Sequence, residues 1–116
     1  MSDLRTFYRD TEPWIAAAAY PKYGNPLQEQ ELLREVSPLP RFRRVNVPML
    51  FVHGIHDTNV PITETEQAAE ALRARDVPVD ELIFQDGGHE FGKLANRRLL
   101  GDRVVQFCQE VFGVRT

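Results

Sequence analysis

The chain has one cysteine, Cys108, among its 116 residues. No internal disulfide can form, and the composition fits a reducing, cytoplasmic setting. Apolar runs are short. None approaches the roughly 20 residues that a membrane helix needs, so no spanning segment and no membrane partner are read. The N-terminus opens Met1-Ser2-Asp3, without a basic stretch followed by an apolar one, and gives no secretory signal. Basic residues are not in excess: 14 Lys and Arg against 17 Asp and Glu leave a formal charge of −3. That balance lacks the electrostatic footprint of a nucleic-acid binder. The densest basic groups, Arg41-Arg43-Arg44 and Arg97-Arg98, read as solvated faces. Serine is scarce too. Only Ser2 and Ser37 occur, and neither is flanked by glycine.

With 42% hydrophobic and 27% charged residues, the chain has the composition of a globular protein of at most one domain. Residues 1–46 form a lead-in punctuated by Pro13, Pro21, Pro26, Pro38 and Pro40, which predicts short helices joined by turns. One helix is expected over Glu12–Tyr20. A better one covers Leu27–Glu35, with Leu32, Leu33 and Val36 at core-like spacing. Residues 47–116 carry a clearer pattern. Val47–Val52 is a short apolar run with Pro48 near its start, and it reads as a strand covered on both faces. Thr63–Arg75 reads as a helix with a Thr63/Glu66 capping box and a buried stripe of Ala68, Ala69 and Leu72, closed off by Pro78. A second strand is expected over Val79–Gln85. A last helix covers Ala95–Phe112, with Leu100, Val104, Phe107, Cys108 and Val111 on its buried face and Gly113 as its stop. Strand, helix, strand, helix with short joints is a parallel βαβα unit, so the fold class is α/β.

Chemistry in such sheets gathers at the carboxyl ends of the strands. Asp57 follows the first strand and His89 follows the second, which places both on one rim. A histidine base needs a carboxylate to fix its tautomer and stabilise the imidazolium that forms during reaction. Asp57 and His89 are therefore the candidate catalytic pair. His53-Gly54 is read as the exit turn of the first strand. Gly87 and Gly88 are read as supplying the conformational freedom that swings His89 over the sheet. The residue types allow two other arrangements. His53, His56, Asp57, His89 and Glu90 could cluster as metal ligands. However, the two leading histidines are three apart around a turn, and no His-Glu-x-x-His occurs. No metal or cofactor is expected. Cys108 could be a nucleophile, but its place on the last helix marks it as a small core residue.

Val47-Pro48-Met49-Leu50-Phe51-Val52-His53-Gly54, then Asp57 and Val60-Pro61, a helix, a strand and Gly87-Gly88-His89-Glu90-Phe91 resemble the C-terminal part of an α/β-hydrolase. More narrowly, the chain resembles the prolyl oligopeptidase family of serine peptidases, especially its acylaminoacyl-peptidase-like members. The segments Ser2-Asp3, Phe7-Tyr8, Tyr23-Gly24-Asn25-Pro26 and Ser37-Pro38 are similar to what those enzymes carry before this strand. The resemblance implies a partial α/β-hydrolase fold, Asp57 as triad acid and His89 as triad base. The Gly-x-Ser-x-Gly nucleophile turn of such enzymes is missing from these residues. Triad order would put the serine ahead of residue 1, so the chain reads as the Asp/His half of a hydrolase, inactive alone. It would act on a peptide or acyl substrate only when completed. The other functional class is a non-catalytic assembly module or pseudoenzyme. In the hydrolase fold the first strand has neighbours on both sides, so a homodimer or a complementing fragment at its open edge is expected.

Overall fold

A computed structural model describes residues 1–89 and 91–113. Helix α1 spans Leu4–Asp10, α2 Pro13–Tyr23 and α3 Gln30–Val36, and a 3₁₀ turn covers Leu39–Arg44. Strand β1, Met49–Gly54, is followed by α4, Thr63–Arg73, then β2, Val79–Phe84, and α5, Leu94–Phe112. The two strands pair in parallel, from Met49 opposite Val79 to Gly54 opposite Phe84. Equal lengths in this register end both strands level, so the loops that follow leave from one edge.

The lead-in forms short helices joined by turns, as its prolines predict. Pro13 sits in the first turn of α2, where a missing N–H costs nothing. Pro21 falls inside α2, near enough to its end that the helix continues to Tyr23 and closes on Gly24 at φ 115°. The helices bury Leu4, Phe7, Tyr8, Ala16, Ala19 and Leu33 as one cluster, and Ile15 and Val60 pack against it. Val60 belongs to the loop after β1, so the lead-in buttresses the rim of the sheet.

Polar contacts fasten this layer to α4. Asp3 caps α1, accepting from the Arg5 backbone N–H at 2.9 Å and from the Arg5 guanidinium. Burial by itself would raise the Asp3 carboxyl, but the Arg5 hydrogen bonds and charge outweigh it and hold the group below the usual carboxylate value. Glu64, buried in the first turn of α4, accepts from the backbone N–H groups of Ser2 and Asp3 at 3.1 and 3.0 Å. Both serines are internal to this frame. Ser37 is fully buried, accepting from Leu4 N–H at 2.8 Å and donating to Leu33 O at 2.6 Å. Ser2 Oγ donates to Glu64 O at 2.7 Å and accepts from Gln67 Nε2 at 2.9 Å.

Several expectations are corrected. Strand β1 starts at Met49, leaving Val47 exposed, and Met49 to Val52 are only half-buried. The capping box does not form. Ile62 is the N-cap of α4, and the Thr63 hydroxyl donates to Asp10 Oδ2 at 3.0 Å, a tertiary partner that displaces the local one. Ala68, Ala69 and Leu72 are buried as expected, but of Leu32, Leu33 and Val36 only Leu33 is. Helix α5 has no buried residue, and Cys108 is exposed. Its stripe has too little to lie against, because the sheet has two strands among the described residues. The radius of gyration, 15.8 Å, says the same. A closed domain of this length would measure about 13 Å.

Candidate active site

The rim is built from backbone first. Ile55 N–H donates to Phe84 O at 2.9 Å and His56 N–H to Gly87 O at 2.9 Å, so the loop after β1 is laced to the loop after β2. This lacing needs close approach. A Cβ on Gly54 would lie 2.5 Å from the Gly87 carbonyl oxygen and closer still to that of Gly88. One on Gly87 would lie 2.8 Å from Phe84 Cβ. The glycines of this turn therefore serve proximity. Neither Gly87 nor Gly88 adopts a positive φ, as Gly24 and Gly113 do. Gly54→Ala must part the two loops. We expect a loss of roughly 3 kcal/mol, at the upper end for overpacking because the obstacles are backbone atoms. Denaturant melts check this, and a change below about 0.5 kcal/mol would contradict it.

Within this frame His89 Nδ1 lies 2.9 Å from Asp57 Oδ2. The other carboxylate oxygen, Oδ1, accepts from the backbone N–H groups of Asn59 and Val60, both at 2.9 Å. The Asp57 side chain is 7% exposed and that of His89 52%. The acid is thus walled in and oriented, while the imidazole reaches solvent. An ionised carboxylate only accepts, so Nδ1 carries the ring proton and the neutral ring keeps a free lone pair on Nε2. The base loop is braced on its far side by Phe91, whose ring meets Phe84 edge-on at 5.5 Å. Asp86 ties the same loop to α5 through Asn96 at 3.0 Å and Lys93 at 3.1 Å. These two donors, Asn96 first, hold its carboxyl below the ordinary value.

The remaining candidates separate. His53 is buried beside the pair, with Nε2 3.5 Å from Asp57 Oδ2. Its ring nitrogens are engaged elsewhere, at 2.7 Å from Thr65 Oγ1 and 2.8 Å from Val60 O. His56 is exposed, and Glu90 lies outside the described residues. Among the described residues no three such side chains gather as a metal site. An open concavity of about 430 Å³ borders His89, with Phe7, Ile15, Ala19 and Val60 giving it an apolar wall. Sequence reasoning missed the wall and the part played by Thr65, because α1, α2 and α4 bring these residues in from far along the chain.

A family model described as the prolyl oligopeptidase family matches residues 1–115. The chain belongs to the prolyl oligopeptidase family. It is 28% identical over 119 aligned residues to dipeptidyl aminopeptidase BIII of Pseudoxanthomonas mexicana, covering 98% of this chain and 17% of that one. It is 30% identical over 87 residues to dipeptidyl peptidase family member 6 of Caenorhabditis elegans, covering 75% and 12%. A Mycobacterium tuberculosis puromycin-hydrolyzing peptidase superposes with a TM-score of 0.89 at 25% identity, covering 99% of this chain and 18% of that one. The Pyrococcus horikoshii acylaminoacyl peptidase superposes at 0.86 with 24% identity, over 96% and 19%. The chain thus spans less than a fifth of the length of these family relatives, and its fold is part of an α/β-hydrolase. No helix among the described residues is long and apolar enough to cross a membrane.

Proposed function

We propose that this chain supplies the acid and base of a serine-hydrolase triad acting on peptide or acyl substrates. The observation that carries the proposal is the 2.9 Å contact from His89 Nδ1 to a buried, doubly anchored Asp57 carboxylate. In this reading a serine from another segment attacks the acyl carbonyl, and His89 Nε2 takes its proton. Asp57 holds the ring in the reactive tautomer and stabilises the imidazolium, which then returns the proton to the leaving group. The apolar concavity beside His89 takes a side chain of the substrate. The names of dipeptidyl aminopeptidase BIII, the acylaminoacyl peptidase and the puromycin-hydrolyzing peptidase support the substrate class.

The chain's own serines do not fit the nucleophile's part, since both are buried, with the Ser37 hydroxyl hydrogen-bonded within the lead-in and that of Ser2 to α4. The 116-residue chain is therefore expected to turn over no acyl ester or peptide amide above background. It should also resist serine-directed phosphonates, as read by intact mass. Stoichiometric labelling at Ser37 would overturn this.

An assembly role, without catalysis, is favoured by a different observation. Strand β1 pairs only with β2 among the described residues, and α5 exposes Leu99, Val105 and Phe112. An open strand edge templates pairing with another chain, and a two-fold antiparallel pairing of β1 with its own copy is the simplest closed solution. Light scattering at micromolar concentration is expected to show a dimer or larger species. A monomer with a cooperative melt would contradict it.

A further inference from the structure

Asp57 Oδ2 has two imidazoles within reach, at 2.9 Å for His89 Nδ1 and 3.5 Å for His53 Nε2. A carboxylate shared between two rings would hold neither in one orientation. We propose that Thr65 and His53 form a positioning pair that reserves Asp57 for His89; the inference rests on the Asp57–His89 reading above.

The argument follows the protons. Val60 O can only accept, so the 2.8 Å contact requires the proton of His53 to sit on Nε2. In the neutral ring Nδ1 is then an acceptor, and the Thr65 hydroxyl donates to it at 2.7 Å. Both nitrogens of a buried ring are satisfied without Asp57. Val60, whose carbonyl accepts the His53 hydrogen bond, also donates its own backbone N–H, on the preceding peptide unit, to Asp57 Oδ1 at 2.9 Å. A continuous path therefore runs from α4 through Thr65, His53 and the backbone of residue Val60 to one carboxylate oxygen, leaving the other for His89. From the opposite side Thr11 Oγ1 donates to Asn59 O at 2.7 Å, so the loop between Asp57 and Val60 is held by both α4 and the lead-in. Without the Thr65 hydroxyl, Nδ1 of His53 becomes a buried acceptor with no donor. The ring is then free to turn its N–H from Val60 O to Asp57 Oδ2, in competition with His89. Neither residue touches a reacting atom. They position the acid.

The chain has three histidines, so long-range proton–nitrogen NMR of the ring nitrogens reads each tautomer directly. The exposed His56 serves as the unconstrained reference. Unsubstituted protein should show His53 protonated on Nε2 and His89 on Nδ1. Thr65→Val should mix the His53 tautomers and turn the Nδ1–H form of His89 from the major into the minor species. Thr65→Ser, which keeps the hydroxyl, should retain both signatures. A folded T65V protein with unchanged His89 overturns the inference. So does a His53 proton on Nδ1 in the unsubstituted chain, which decides the matter even if T65V does not fold. Asp57→Asn separates the two levels. If His89 ignores it, the dyad reading fails and takes the inference with it. If His89 responds to D57N and not to T65V, only the positioning role is lost.

Discussion

Asp57→Asn is expected to lower kcat by about four orders of magnitude once the chain is assembled with a nucleophile-bearing segment. The amide cannot play the carboxylate's part. With its oxygen toward the two backbone N–H groups of Asn59 and Val60, it presents an NH₂ donor to His89. The ring must then turn Nδ1 into an acceptor, which places its proton on Nε2, where the base needs a lone pair. The imidazolium formed in the transition state also loses its counter-charge. His89→Ala should cost more, about 10⁶-fold, because the proton acceptor itself is gone. In the proposed reading the substrate side chain packs on the apolar wall of Phe7, Ile15 and Val60, and Asp57 does not line that concavity, so KM should change little for D57N. Ester hydrolysis by the reconstituted assembly measures this. A loss below tenfold for D57N would mean that Asp57 does not orient the base.

Glu64→Ala should give the largest loss of stability. The carboxylate is almost completely buried and answers donors from three places. Oε1 takes the Ser2 and Asp3 backbone N–H groups, and Oε2 takes the Thr6 hydroxyl and Gln67 Nε2, the latter at 2.9 Å. Truncation leaves buried donors without an acceptor, two of them backbone amides that cannot turn away. With about 1.5–3 kcal/mol for each hydrogen bond to a charged group and partial relaxation of the side-chain donors, the net loss should be about 3–5 kcal/mol. That is a large part of the 5–15 kcal/mol that holds an ordinary domain together. Glu64→Gln keeps one acceptor oxygen and should fall between. Denaturant titration with unchanged slope reads the effect directly, and a shift under about 1 kcal/mol would show that water replaces the carboxylate.

The βαβα unit and the meeting of Asp57 and His89 on one rim were legible in the sequence because they depend on short-range signals. A short apolar run with β-branched and aromatic residues, bounded by turn residues, favours a strand, a helix with Ala68, Ala69 and Leu72 in phase buries one face, and loops after parallel strands leave from one rim. The motif around Asp57 and His89 also carried the family, which the match over residues 1–115 establishes.

Other features depended on which distant groups met. Thr63 looked like a cap until Asp10 offered its hydroxyl a partner 53 residues away. Gly54 and Gly87 looked like sources of turn freedom, and they are contact points between two loops. Cys108 sat on an apolar stripe, yet burial requires a surface opposite the helix, and a two-stranded sheet provides too little of one. His53 read as an exit turn or a metal ligand, and its meaning came from Thr65 on one side and the Val60 carbonyl on the other. Local pattern sets the conformation of a segment, since backbone sterics and the period of burial act within a few residues. The partner that a polar side chain finds, and whether an apolar face is covered, is decided only when the segments come together.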